Sequence, residues 1–323
     1  MDLLGYCAVK TVRRAVIDVG TNSIKLLVAD VDGHRIEPVW EGSKQTRLGQ
    51  GFYRTHRLQT GAIAQTAAAV SEFAEEARRH KAGLIRVIAT SATREAVNAE
   101  ALTSAIEREA GLKVEILSGE EEADLVFHGV TTDPTLAKDP LLLLDVGGGS
   151  TEFILGQGEH KHFRASFGLG SVRLMETLPH SDPPKPEELA DCRTWVKNFL
   201  RTKVAPKLEE GRLHLPSPIL LVGTGGTATI LARIEAQMQD FDRAQIEKTR
   251  LTLKRLTSHV EHLWSLPLEQ RRNVIGLPGN RADVILTGAV ILEMAMETFN
   301  FSELRVSTRG LRFAALLGSA PLL

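Results

Sequence analysis

Val16-Ile-Asp-Val-Gly-Thr-Asn-Ser-Ile-Lys-Leu-Leu-Val-Ala29 is answered later in the chain by Leu143-Leu-Asp-Val-Gly-Gly-Gly-Ser-Thr-Glu-Phe-Ile-Leu-Gly156. Each copy reads as an aliphatic run closed by Asp, a turn of small residues, and a second apolar run, which is the pattern of a β-hairpin. The Asp ends the first strand, so its carboxylate looks past the turn, where free backbone N–H groups can cradle an oxyanion. One copy alone would be an ordinary hairpin. Two copies, with Asp18 and Asp145 standing 127 residues apart, predict two like domains whose turns face each other across a cleft.

A third glycine cluster, Val222-Gly-Thr-Gly-Gly-Thr227, follows the apolar run Ile219–Val222 and precedes a helical pattern over Ala228–Ile234. Strand, glycine turn and helix can seat phosphate on a helix N-terminus. The cluster lacks the Lys of a P-loop and the spacing of a dinucleotide fingerprint. The rest of the first half alternates: helix over Gln59–Arg79, strand over Leu84–Ala89, helix over Ser91–Glu109, strand over Lys113–Leu117, then a helix opened by Ser118-Gly-Glu-Glu-Glu122. That alternation predicts an α/β fold. Asp139-Pro140 marks a domain junction, and a helix is expected from Glu187 after a proline-rich loop.

Composition narrows the function classes. The 323 residues suggest roughly two domains. The 39 Lys+Arg against 40 Asp+Glu leave a net charge of -1, so the overall footprint of a nucleic-acid binder is missing. Cys7 and Cys192 are the two cysteines, too few to staple the chain, which points to a reducing compartment. The first residues place their basic side chains after the apolar stretch, the wrong order for a signal peptide. The most apolar helical segment, Ala282–Phe299, is interrupted by Asp283 and Glu293 and is too short to span a membrane. A cytoplasmic protein, with neither nucleic-acid nor membrane partners, is expected.

Removing a terminal phosphate with water requires a base, neutralisation of the phosphoryl charge and alignment of the two. Glu120-Glu121-Glu122 offers the base. Ser118 and Glu121 form a capping-box pattern, which gives Glu121 a structural role and leaves Glu122 without one. Its place in a first helical turn favours an ionised Glu122. Asp18, Asp145 and Glu152 are candidates for a divalent ion. Hard carboxylates without His or Cys suit Mg²⁺ or Mn²⁺ rather than zinc. Phosphate contacts are expected from the backbone of Gly147, Gly148, Gly149, Gly223 and Gly225, from the hydroxyls of Ser23, Ser150 and Thr224, and from the cations Lys25, Arg47 and Arg94. Arg94 lies near a predicted helix start, where a cation opposes the helix dipole. Arg243, Lys248, Arg250, Lys254 and Arg255 read as one solvated helix face.

Taken together, Asp18-Val-Gly-Thr-Asn-Ser23, Ser118-Gly-Glu-Glu-Glu-Ala123, Asp145-Val-Gly-Gly-Gly-Ser-Thr-Glu152 and Gly223-Thr-Gly-Gly-Thr227 resemble the exopolyphosphatase/guanosine pentaphosphate phosphohydrolase family. Gly170-Ser-Val-Arg173 and Arg305-Val-Ser-Thr-Arg-Gly-Leu-Arg312 look like further family segments. The resemblance runs from about residue 14 to about 314. It implies two ribonuclease-H-like domains of the actin, hexokinase and heat-shock ATPase superfamily, over residues 1–135 and 136–309. A C-terminal helix over 310–323 is expected to pack back on the first domain. Longer members add an HD-type domain, for which a chain ending at 323 has no room.

The resemblance also places the catalytic glutamate at Glu122. It implies a Mg²⁺-dependent hydrolase of inorganic polyphosphate, of guanosine pentaphosphate, or of both. Short polyphosphate chains are expected to be favoured, because no extended basic track is evident. A homodimer is compatible with this reading. Many relatives carry an acidic residue where this chain has Thr308. Two other readings use the same residues. A sugar or carboxylate kinase would bind ATP in these turns, but kinases of this superfamily do not take their base from a Ser-Gly-Glu-Glu-Glu element. A silent binder of polyphosphate or guanosine tetraphosphate would have no need of an intact Asp18, Glu122, Asp145 and Glu152.

Overall fold

The computed structural model describes residues 11–318 and forms two mixed sheets. The first contains β1 (Val12–Val19), β2 (Ser23–Asp32), β3 (Arg35–Gln45), β4 (Leu84–Ala89) and β5 (Val114–Ile116). The second contains β6 (Leu141–Val146), β7 (Thr151–Gln157), β8 (His160–Phe167), β9 (Leu220–Thr224), β10 (Arg250–Thr252) and β11 (Glu303–Val306). The first sheet runs β3-β2-β1-β4-β5 and the second β8-β7-β6-β9-β11-β10. In both, the two hairpin partners are antiparallel and the next two strands are parallel. The sequence repeat is therefore a repeat of sheet topology, the ribonuclease-H-like order, with β10 added at one edge of the second copy.

The strands read as unbroken aliphatic runs because both of their faces are covered. Ile17, Leu26 and Val28 face the helices Thr60–Arg79 and Ala99–Ala110, whereas Val16, Leu27 and Ala29 face a core shared with the second sheet. Leu141, Leu143 and Ile154 enter that shared core from the other side, and Leu142 and Leu144 join the core around the helix Ile285–Thr298. Two helices fill the space between the sheets. One is Gly119–Thr131, through Ala123, Val126, Phe127 and Val130. The other is Leu311–Leu316, through Leu311, Phe313 and Leu316, which also packs on β1 and β2. The two segments touch backbone to backbone: a Cβ on Gly129 would stand 2.0 Å from the Gly310 carbonyl oxygen.

Several elements differ from the sequence expectation. The helix expected over Ser91–Glu109 is two helices, Ser91–Glu95 and Ala99–Ala110. Asn98 breaks it: its side chain accepts from Leu58 N (2.9 Å) and donates to Leu58 O (3.0 Å), competing with the helical backbone. The basic stretch from Arg243 to Arg255 is not one helix face either. It divides into the helix Arg243–Lys248, the strand β10 and the helix Leu253–Ser265, and Arg243 turns inward against Glu41, Thr308 and the Phe313 ring. Cys7 and the last five residues of the expected 310–323 helix lie outside the described residues.

Candidate active site

Both hairpin turns close with the same bond, Gly20 N to Ser23 O (3.2 Å) and Gly147 N to Ser150 O (3.0 Å). The turns meet across the domain boundary so closely that a Cβ on Gly148 would lie 2.9 Å from Thr21 Cβ. At Gly149 it would lie 2.3 Å from the Tyr53 hydroxyl and 2.4 Å from Ser91 Oγ. The cleft beside them is lined by Asp18, Lys25, Glu122, Asp145, Glu152, Ser23 and Ser150, and by the turn glycines 147–149.

The acids are buried and crowd one another. Burial pushes Asp145 up to about 6, with Lys25 opposing the shift and Asp18 adding to it. Glu152, 1% exposed, is pushed up to about 7 by burial and by Asp145, although Ser166 Oγ donates to its Oε1 at 2.7 Å. Asp18 is raised by burial, with Lys25 and Arg312 pulling it back. Lys25 is lowered by burial, with Asp18 opposing.

Glu121 and Glu122 separate as the helix start requires. Glu121 N donates to Ser118 Oγ (3.2 Å), and Glu121 Oε2 accepts from Ser118 N (2.7 Å), completing the capping box and holding the Glu121 carboxyl below its ordinary range. Glu122 turns into the cleft, 9% exposed. Burial first, and Glu152 second, raise it well above the usual carboxylate range, against the Arg94 guanidinium that donates to its Oε2 at 2.9 Å. Desolvation and a neighbouring carboxylate thus act against the pull of the helix terminus on the Glu122 proton.

Not every expected phosphate ligand reaches the cleft. Arg94 sits in the last turn of a five-residue helix, where it binds Leu117 O (2.9 Å) and Glu122. Arg47 pairs with Asp283 at 2.7 Å. Gly223 is interior to β9, facing Ala228 and Leu304, and the Thr224 hydroxyl is spent on Arg309 O (2.8 Å). Gly225 has a positive φ of 78°, and a Cβ there would fall 2.0 Å from Asp145 Oδ1, so it serves the approach of a carboxylate. Gly226, one residue on, is the one that lines the cleft.

Sequence reasoning also missed residues. Arg281 lines the cleft and donates to Ser23 Oγ at 2.5 Å, joining the two halves of the molecule. Lys25 Nζ and an Arg281 nitrogen both approach the space a Gly226 side chain would occupy, at 3.9 and 4.0 Å. Arg281 stands alone in a Pro-Gly-Asn-Arg loop and offers no motif. Ser91 did carry a signal, since it opens the helix after β4 as Gly225 opens the helix after β9. Position 308 has a carboxylate beside it after all: Glu247 meets both the backbone N–H and the hydroxyl of Thr308.

A family model described as the Ppx/GppA phosphatase family matches residues 27–322. The chain belongs to the Ppx/GppA phosphatase family. Membership makes it a phosphatase, and the family's solved structures share its architecture. Exopolyphosphatase 2 of Mycobacterium tuberculosis is 36% identical over 291 residues, covering 87% of this chain and 89% of that protein. The crystal structure of an exopolyphosphatase from Cytophaga hutchinsonii superposes with a TM-score of 0.83 at 25% identity, over 94% of this chain and 96% of that one. The Aquifex aeolicus member of the Ppx/GppA family gives 0.77 at 29% identity, over 95% and 97%. Among the described residues, no helix is long and apolar enough to cross a membrane.

Proposed function

We propose that this chain releases the terminal phosphate of inorganic polyphosphate, of guanosine pentaphosphate, or of both, by attack of water activated at Glu122. The observation that carries the reading is Glu122 itself: a desolvated carboxylate, raised by Glu152, steadied by Arg94 and opening onto the cleft. Raised proton affinity is what a base needs if it is to take a proton from water near neutral pH. The turn backbone of Gly147–Ser150, with Lys25 and Arg281, supplies donors and positive charge for the phosphoryl oxygens.

Magnesium fits this donor set. Among the described residues, no three acidic or imidazole groups already stand as a cage for a metal. Mg²⁺ is ordinarily held by one or two carboxylates together with substrate phosphate oxygens and water, so a preformed cage is not required. Asp18, Asp145 and Glu152 would supply the carboxylates; burial first, then Asp18 beside Asp145 and Asp145 beside Glu152, raises the latter two, and a divalent cation relieves such crowding of negative charge. When bound, the ion neutralises charge on the transferring phosphoryl group.

The reading includes a preference for short chains and distributive release. Arg47, Arg94, Arg243 and Arg255 are each paired with a carboxylate, so none of these four is a free cation for a long polyanion to follow. The test is phosphate release from tripolyphosphate, long-chain polyphosphate and guanosine pentaphosphate, with and without Mg²⁺. Release from none of them, or full release in excess EDTA, refutes the reading. Gel analysis of a long-chain digest should show the whole population shortening; intact chains beside free phosphate would make the enzyme processive.

A further inference from the structure

The helix Ser171–Thr177 begins against the back of the second hairpin turn. Ser171 N donates to Gly147 O (2.9 Å), Val172 N and Arg173 N donate to Gly148 O (2.8 and 3.1 Å), and Arg173 Nε donates to Gly149 O (2.7 Å). In a trans peptide the carbonyl and the following N–H point in opposite directions. Holding the carbonyls of residues 147–149 on the helix side therefore turns the N–H groups of Gly148, Gly149 and Ser150 the other way, toward the cleft. Gly170 permits the approach, since a Cβ there would stand 2.5 Å from backbone atoms of Gly148 and Gly149.

The same helix grips the other domain. Arg173 Nη2 reaches both carboxylate oxygens of Glu95 (2.6 and 2.8 Å), and its guanidinium lies 4.2 Å over the centre of the Tyr53 ring. Glu95 also accepts from Ser91 Oγ at 3.0 Å, and Ser91 lines the cleft. Three residues along, on the same helix face, Glu176 accepts from Gly51 N (2.5 Å) and Tyr53 N (3.2 Å). The Arg173 and Glu95 side chains are 19% and 30% exposed, so their ion pair is partly withdrawn from solvent and stronger than an open surface bridge.

We propose that Arg173 is a positioning residue that ties domain closure to the aim of the phosphate cradle. One guanidinium holds the Gly149 carbonyl and Glu95 of the other domain together, so the Ser150 N–H that follows this carbonyl, at the end of a cradle whose other carbonyls the helix backbone holds, is aimed with the domains clasped. The proposal rests on the phosphate-releasing reading of the cleft for its kinetics, and on geometry alone for its effect on binding.

The experiment compares Arg173→Met, Arg173→Lys, Glu95→Gln and the Arg173→Met/Glu95→Gln double variant with the wild type. A smaller closed population lowers apparent affinity in proportion, so Arg173→Met should raise KM for tripolyphosphate about 10-fold, with kcat held within about 3-fold because saturating substrate draws the domains together. Arg173→Lys keeps the charge facing Glu95 and should recover part of the loss. Glu95→Gln should shift KM in the same direction by less, and the double variant should add little to Arg173→Met. Calorimetric titration with tripolyphosphate should show the same weakening without turnover. If the wild type releases no phosphate yet Arg173→Met weakens tripolyphosphate binding, the hydrolase reading fails and the clasp stands. Unchanged KM and unchanged tripolyphosphate affinity in Arg173→Met overturn the clasp, as does a fall in kcat and Tm together at constant KM.

Discussion

Asp18 and Asp145 occupy matching ends of matching strands, yet the residue paired with each across its hairpin is Lys25 in the first copy and Glu152 in the second. Desolvation raises both aspartates. In the first hairpin a cation stands directly across the ladder and opposes that shift, so Asp18 and Lys25 form a pair of opposite charge. In the second hairpin a carboxylate faces a carboxylate, and a third, Glu122, is raised by the same Glu152. One duplicated scaffold thus sets a cation against the acid in one hairpin and gathers acids in the other. The difference teaches that a single residue across the ladder changes what each hairpin offers. On the proposed reading, Lys25 would meet phosphate beside Asp18, whereas the Asp145–Glu152 pair would help hold a cation next to Glu122.

The largest effect should come from the acidic wall. Glu122→Gln keeps the shape and removes the proton acceptor, so kcat should fall by on the order of 10²-fold or more while tripolyphosphate affinity is retained. An active Glu122→Gln beside an inactive Glu121→Gln would reverse the assignment of the base. The contrast between hairpins is sharpened by a matched pair. Asp145→Asn should raise the Mg²⁺ concentration for half-maximal activity by on the order of 10-fold. Lys25→Met should raise KM several-fold and leave the Mg²⁺ requirement where it was, since it removes a phosphate contact rather than a cation ligand. If both variants shift the Mg²⁺ requirement equally, the division of labour is wrong.

A smaller effect should appear in stability. Asp145 and Glu152 are raised to about 6 and about 7 from ordinary values of 3.8 and 4.5. The folded, metal-free protein therefore holds these protons to higher pH than the unfolded chain does, and unfolding releases them. Its stability should fall as pH climbs from about 4 to about 7. Melting curves of metal-free protein between pH 5 and pH 7.5 should show Tm dropping, with Glu152→Gln flattening the slope. A Tm that rises with pH across this window, and that Glu152→Gln leaves unaltered, would contradict the crowding. The smallest effect belongs to Glu121→Gln, which should cost about 1 kcal/mol or less through the capping box and leave kcat near wild type in the same assays.

What can be read in the sequence follows from how local each signal is. The hairpins are legible because Asp, the glycine turn and the flanking strands are contiguous, and their recurrence gives the sheet topology. The capping box at Ser118 and Glu121 is legible for the same reason, spanning four residues. Interactions that join distant segments are not. Arg281 meets Ser23 over 258 positions, and Arg243 meets Glu41 over 202. Arg94 reads as a phosphate ligand because nothing near it in sequence reveals Glu122, 28 residues on, as its partner. The pull of the helix terminus on Glu122 is legible because helix position is local, whereas the burial beneath β7 and β8 that opposes it is not.

Gly129 and Gly310 lie backbone against backbone, and the helix after Gly310 fills the core shared by the two sheets. That contact orders events during synthesis. The helix bearing Glu122 is finished by residue 131, but its packing partner begins at residue 311, 180 residues later. At about 5–20 residues per second, the ribosome needs roughly 9–36 s to deliver it. Throughout that interval Val16, Leu27, Phe127 and Val130 lack the apolar cover of Leu311, Phe313 and Leu316. The nascent first half thus waits with an open apolar face, and the helix bearing Glu122 takes its final seat only when the residues after Gly310 leave the exit tunnel.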